Sequence, residues 1–145
     1  MTRLTDNIWI GDATAKIGNV RAVKIGAILN VAQDLRGISG WPDVEYMQVG
    51  LVDGPGNPIT AYYTSVLALV TLLKRHDQVM VFCHSGSRSM AVILMYLRAS
   101  TGMEWDDCLS MLRERVDIDL SDPHPVHKDM FTKIDWKLLA SMLGD

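Results

Sequence analysis

One segment concentrates the side chains that could make and break bonds: Cys83-His84-Ser85-Gly86-Ser87-Arg88-Ser89. It follows the apolar run Gln78-Val79-Met80-Val81-Phe82 and precedes another, Met90 to Leu97, a pattern that predicts strand, short turn and buried helix. A thiol at such a junction meets unpaired backbone N–H groups and the positive end of the helix dipole, which favour its nucleophilic, anionic form. Gly86 lets the backbone curl around an oxyanion, and Arg88 offers a planar fork to two oxygens of a phosphate or a sulfur oxyanion. Ser89 can donate a hydrogen bond to the thiolate. The expected chemistry is attack by Cys83 on a group held as an anion by residues 84–88. Cys108, the other cysteine, falls in the middle of a helical pattern without such a loop and reads as core packing.

The segment Val52-Asp53-Gly54-Pro55-Gly56-Asn57-Pro58 packs in two Gly and two Pro, which exclude a helix or a central strand and predict an exposed loop. Asp53 suits the start of a turn there with Gly54-Pro55. His124 and His127, in Asp122-Pro-His-Pro-Val-His, have no third ligand nearby; they read as a solvated loop, and no metal is expected. Trp41 and Tyr46 could touch a substrate or anchor the core.

The elements that must position these residues alternate along the chain. Asn7 to Gly11 reads as a strand closed by a Gly-Asp turn, followed by a helical stretch. Ile25 to Val31 is apolar, partly β-branched and bounded by glycine, as suits a strand buried on both faces. Residues 32–44 form a loop, and Glu45 to Val49 the next strand. From Thr60 to Arg75, Tyr63, Val66, Leu67, Val70 and Leu73 follow helical spacing. The helix from Met90 ends at Gly102, and Trp105 to Arg115 forms another, opened by Glu104, Asp106 and Asp107. Residues 119–125 are a loop, and one last helix runs from about Val126 to Leu143. The pattern predicts an α/β domain with a central, largely parallel sheet of about four or five strands, and helices on both faces.

Composition bounds the rest. With 145 residues, 48% of them hydrophobic and 21% charged, the chain suits one globular domain over residues 1–145. The net charge of −3 calls for neither a nucleic acid nor an anionic membrane as partner. Residues 1–103 hold 9 basic and 7 acidic side chains against 5 and 10 in residues 104–145, so an anion site belongs in the first part. The start has no apolar leader and the longest apolar run is Met90 to Leu97, so a cytoplasmic location is expected, with two reduced thiols rather than a disulfide framework.

The chain resembles the cysteine-dependent protein phosphatases of the dual-specificity type. The resemblance runs through Asn7-Ile-Trp-Ile-Gly11, Ile28-Leu-Asn-Val-Ala32, Tyr46 to Asp53, Cys83 to Ser89 and Met103 to Arg115. It implies a phosphatase that hydrolyses a phosphate monoester, on a phosphorylated protein or a small phosphorylated molecule, through a cysteinyl-phosphate. Cys83 would be the nucleophile, Asp53 the acid and then the base, Arg88 with the amides of His84, Ser85, Gly86 and Ser87 the phosphate cradle, and Ser89 the helper of the departing thiolate. No cofactor is implied. Two departures stand out: four residues separate Cys83 from Arg88 where the family has one more, and Phe82 replaces the usual histidine. The shorter Cys-x-x-Gly-x-Arg-Ser loop looks like that of the rhodanese-like sulfurtransferases, whose cysteine carries a persulfide. A catalytically weak anion-binding module is the third reading.

Overall fold

Period-two alternation along the two central strands builds two cores. In a computed structural model that describes residues 1–12, 17–35, 43–116, 120 and 122–144, these strands are β3 (Ala27–Ala32) and β5 (Val79–Phe82), preceded by β1 (Thr2–Arg3) and β2 (Ile8–Gly11), with β4 (Glu45–Leu51) between them in sequence. Ala27, Leu29, Val31, Val79 and Val81 point into the larger core. Ile28, Met80 and Phe82 point the other way, with Val20 and Ile25. Every residue of β3 and β5 is buried, as a sheet covered on both faces requires.

The sheet order is β1-β2-β5-β3-β4. Only the β1–β2 pair is antiparallel; β2–β5, β5–β3 and β3–β4 are parallel. Helix α1 (Ile17–Ala22) contributes Val20 to the smaller core, while α2 (Ile59–Arg75) and α3 (Ser87–Thr101) lie on the larger one with α4 (Trp105–Arg115), α5 (Pro125–Lys133) and α6 (Trp136–Leu143). The expected α/β architecture is present. Loops leaving the C-terminal ends of adjacent parallel strands gather at one edge, and β3, β4 and β5 send Asp34, Asp53 and Cys83 there.

Three expectations need correction. The terminal helix is two helices. Asp135 takes its backbone N–H out of any helical ladder by donating to the Tyr63 hydroxyl, 2.8 Å away, and its carboxylate caps α6 by accepting from the Leu138 N–H at 3.0 Å. The buried stripe of α2 is Tyr62, Ser65, Val66, Ala68, Leu69 and Leu72 rather than the set phased on Tyr63. That helix is apolar on most sides, so packing on the sheet and α3 selects its inner face. The third concerns residues 122–127. His127 is not in a solvated loop but on α5, fully buried. Strand β1 is a pair of residues that exists only through its rungs to Ile10 and Trp9. Tyr46 acts as an anchor: its hydroxyl accepts from the buried Asn30 side chain at 3.0 Å, whereas Trp41 lies outside the described residues.

Candidate active site

Cys83 directly follows β5, its N–H donating to the Gly11 carbonyl at 3.5 Å, and it is fully buried. Three residues later Gly86 takes φ 95°, a left-handed conformation that glycine tolerates and other residues resist, and so turns the chain directly into α3. The turn aims two backbone donors back at the thiol: Gly86 N–H at 3.0 Å and Ser89 N–H at 3.5 Å from Sγ. Donors held at a helix N-terminus are suited to an anionic sulfur.

Arg88 lies in the first turn of α3 with only 4% of its side chain exposed. Its Nη1 donates to Asp34 Oδ1 at 2.7 Å and to the Leu51 carbonyl at 2.9 Å. The hydrogen bond from Arg88 holds the Asp34 carboxyl below the usual aspartate range. Arg88 Nε and Ser89 Oγ are buried and make no hydrogen bond within the described residues. Buried polar atoms in folded proteins nearly always have partners, so these two orphans, on the residues that follow the thiol turn, could be completed by an oxyanion.

Asp53 stands two residues past β4. Its Oδ1 accepts from Ser87 Oγ at 3.1 Å and is 3.2 Å from His127 Nε2. Ser87 belongs to the turn that carries Cys83, so the carboxyl sits at the rim of that turn. The Ser87 oxygen in turn accepts the His124 backbone N–H at 2.9 Å. Asn57 clamps the acidic loop on itself, accepting from Val52 N–H at 2.8 Å and donating to the Val52 carbonyl at 2.7 Å. Behind Asp53, the Tyr62 hydroxyl is 2.8 Å from His127 Nδ1 and accepts from Asn57 at 3.3 Å.

The structure thus brings together Cys83, Gly86, Ser87, Arg88, Ser89 and Asp53, while His84 and Ser85 are exposed on the outer part of the turn. A cavity of about 480 Å³ opens beside them, lined among others by Ile10, Gly11, Asp12, Ser85, Gly86 and Met90. Phe82, in place of the family histidine, fills the smaller core. Cys108 is fully buried, its thiol pushed up to about 11, chiefly by burial. Sequence reasoning did not single out Asp34, Asn57 or Tyr62. Asp34 had a signal in the strand order, since its loop leaves the strand beside β5; the other two act through contacts only the folded chain creates.

Comparison with known proteins gives the chain its family. Residues 8–125 match the family described as dual specificity phosphatase, catalytic domain. Dual specificity protein phosphatase 14 of Mus musculus is 28% identical over 101 residues, covering 67% of this chain and 50% of that protein; the Drosophila melanogaster dual specificity protein phosphatase Mpk3 is 26% identical over 113 residues, 74% of this chain and 28% of its own length. The chain therefore spans half or less of the curated relatives it matches. Among solved structures, DUSP15 superposes with a TM-score of 0.81 at 18% identity, covering 99% of this chain and 92% of that one, and human DUSP28 with 0.79 at 19% identity over 97% and 99%. With most of its length in the family match and the fold shared throughout, the chain belongs to the dual specificity phosphatase catalytic-domain family.

Proposed function

We propose that this chain is a cysteine-dependent phosphatase that hydrolyses phosphate monoesters on a phosphorylated protein or a small phosphorylated molecule. One observation carries the reading: a sulfur that receives two backbone N–H groups shares its turn with a buried arginine and, through Ser87, with a carboxyl. Cys83 Sγ attacks phosphorus while the bond to the leaving oxygen breaks, and Asp53 gives that oxygen its proton. Arg88 and the N–H groups of residues 84–88 hold the phosphoryl oxygens as charge redistributes. Asp53, now a carboxylate, takes a proton from the water that attacks the cysteinyl-phosphate. The S–P bond breaks, phosphate departs, and the Ser89 hydroxyl donates to the thiolate. The scheme calls for no metal and no organic cofactor.

Residues 1–145 act as one unit in this reading, in a reducing, cytoplasmic setting that keeps Cys83 a thiol. Among the described residues no helix is long and apolar enough to cross a membrane.

The test compares an aryl phosphate with thiosulfate-to-cyanide transfer in wild type, Cys83→Ser and Asp53→Asn. Phosphate release is expected to vanish in Cys83→Ser and to fall about 10²- to 10⁴-fold in Asp53→Asn. Sulfur transfer alone, with Asp53→Asn unaltered, overturns the reading. Loss of both activities with retained oxyanion binding identifies a binding module instead.

A further inference from the structure

His127 shares full burial with Cys83 and Tyr62 among the titratable side chains near the site, and the phosphatase scheme above gives it no task. It is fully buried on α5. Its two ring nitrogens reach Tyr62 Oη at 2.8 Å and Asp53 Oδ1 at 3.2 Å. The groups that face it are Tyr62 from α2, Asp53 from the loop after β4, Arg88 from α3 and its neighbour His124, whose ring centroid is 6.1 Å away.

The direction of each proton follows from the partners. An amide Nδ2 can only donate, so Asn57 donates to the Tyr62 oxygen. The Tyr62 O–H can then be given to His127 Nδ1, and in that tautomer the ring is neutral with its hydrogen on Nε2, facing a carboxyl oxygen that can accept it. That N–H points at Asp53 Oδ1. The Ser87 hydroxyl, which already accepts the His124 N–H, gives its own hydrogen to the same oxygen. Burial pushes the His127 ring below the ordinary histidine value despite the nearby carboxyl, in keeping with a neutral ring. Oδ1 thus receives two hydrogens, and a carboxyl oxygen occupied in this way has no room to carry the acidic proton.

We propose that His127, backed by Tyr62 and Asn57, is a positioning residue that saturates Asp53 Oδ1 and so places the transferable proton on Oδ2. The inference rests on Asp53 being the acid. During cleavage the Oδ2–H bond breaks and the proton passes to the leaving oxygen. During hydrolysis the same oxygen takes a proton from water. His127 itself keeps its hydrogen throughout.

The experiment measures kcat and KM for phenyl phosphate, a poor leaving group that needs protonation, and 4-nitrophenyl phosphate, which needs little. The proteins are wild type, His127→Phe, His127→Gln, Tyr62→Phe, Asp53→Asn and the Asp53→Asn/His127→Phe double variant. His127→Phe is expected to lower kcat on phenyl phosphate about 10-fold, the worth of one hydrogen bond to a charged group, with KM unchanged and the nitrophenyl ester hardly affected. His127→Gln, which keeps an N–H toward Oδ1, restores most of the loss, and Tyr62→Phe shows a smaller loss of the same kind. In the double variant His127→Phe adds nothing. Equal losses on both esters, or full additivity with Asp53→Asn, overturn the proposal. Should His127→Phe fail to fold, the leaving-group dependence of His127→Gln and Tyr62→Phe decides. If Asp53→Asn does not discriminate between the two esters, it is the acid assignment that fails, whatever His127 does.

Discussion

Replacing Gly86 by alanine separates the shape of the thiol turn from the stability of the helix behind it. Gly86 has φ 95°, and a Cβ built there would meet, among the described residues, only Ile10 Cδ1, at 3.8 Å. The cost is therefore conformational rather than steric, about 1–2 kcal/mol for an L-residue forced into the left-handed region. Gly102 supplies an internal control. It ends the same helix with φ 82°, and its Cβ would meet only Arg98 Nη1, also at 3.8 Å. With an unfolding entropy of about 2.1 cal/mol/K per residue, a chain of this length loses roughly 3 °C of Tm per kcal/mol. Both Gly86→Ala and Gly102→Ala are thus expected to melt about 3–7 °C below wild type. Only Gly86→Ala should lose activity, because relaxing its φ swings the 3.0 Å N–H away from Cys83 Sγ and shifts the first turn that carries Arg88. Losing one donor aimed at developing charge lowers kcat about 10²-fold. Differential scanning fluorimetry and aryl phosphate kinetics read the two effects separately. A Gly86→Ala protein with the expected Tm loss and wild-type kcat would refute the claim that this dihedral aims the donors. A Tm unchanged in both variants would refute the strain argument itself.

Acidification is expected to weaken the fold through His127. Its folded value is lowered, with burial the largest cause, from an ordinary 6.5; the unfolded chain takes up a proton near that pH and the folded chain does not. Stability is then complete above about pH 6.5 and falls as pH drops toward the lowered value. Urea titrations of wild type and His127→Phe between pH 7.5 and 5.5 should show a steeper loss in wild type, and parallel losses would contradict the assignment. Cys108, with its thiol held near 11 and fully buried, should resist iodoacetamide at pH 8 in the native protein, and Cys108→Ala should keep wild-type kcat while losing about 1 kcal/mol of stability. Asp135→Ala removes the cap of α6 and should cost about 1 kcal/mol without touching kinetics; an unchanged Tm would show that the break between α5 and α6 does not depend on that carboxylate.

What could be read from the sequence was local. The run that became β3 announces itself by β-branched, glycine-bounded apolarity, β2 by alternation and β5 by its short apolar run, and Cys83, Gly86, Arg88 and Ser89 by residue types that packing alone does not explain. Asp53 could be named through the family resemblance, by its place seven residues after Tyr46 and 30 before Cys83; its Gly- and Pro-rich surroundings said only that it lies in a loop. Elsewhere the deciding contact is remote. Asp53 and His127 are 74 positions apart, and Tyr62 and His127 are 65 apart. No periodicity in the Pro-rich stretch 122–127 distinguishes a histidine that will be buried against an aspartate from one left in solvent. The inner face of α2 was lost for the related reason that an evenly apolar helix is phased by its neighbours. The division of the terminal helix was set by the Tyr63 hydroxyl reaching across from α2 to the Asp135 N–H.

The turn between Cys83 and Arg88 is one residue shorter than the family pattern, and the backbone around it bears on the proposed cradle. Gly86 hands the chain straight to α3, and the first N–H of that helix to find a helical partner is Met90, bonded to the Gly86 carbonyl at 2.8 Å. The N–H groups of Ser87 and Arg88 are first-turn orphans that no described hydrogen bond uses. With the Gly86 and Ser89 N–H groups directed at the sulfur, those of Ser87 and Arg88 are the helix's own share of the cradle proposed over residues 84–88. Arg88 is constrained in the same sense. Its Nη1 is spent on Asp34 and Leu51, so the edge that carries the orphaned Nε is the one it can offer. In the proposed cradle these backbone donors lie in the first turn of a helix, at its positive end. A cradle built this way depends on the integrity of that turn more than on the length of the loop, which is why a single φ angle at Gly86 is expected to matter so much to the chemistry.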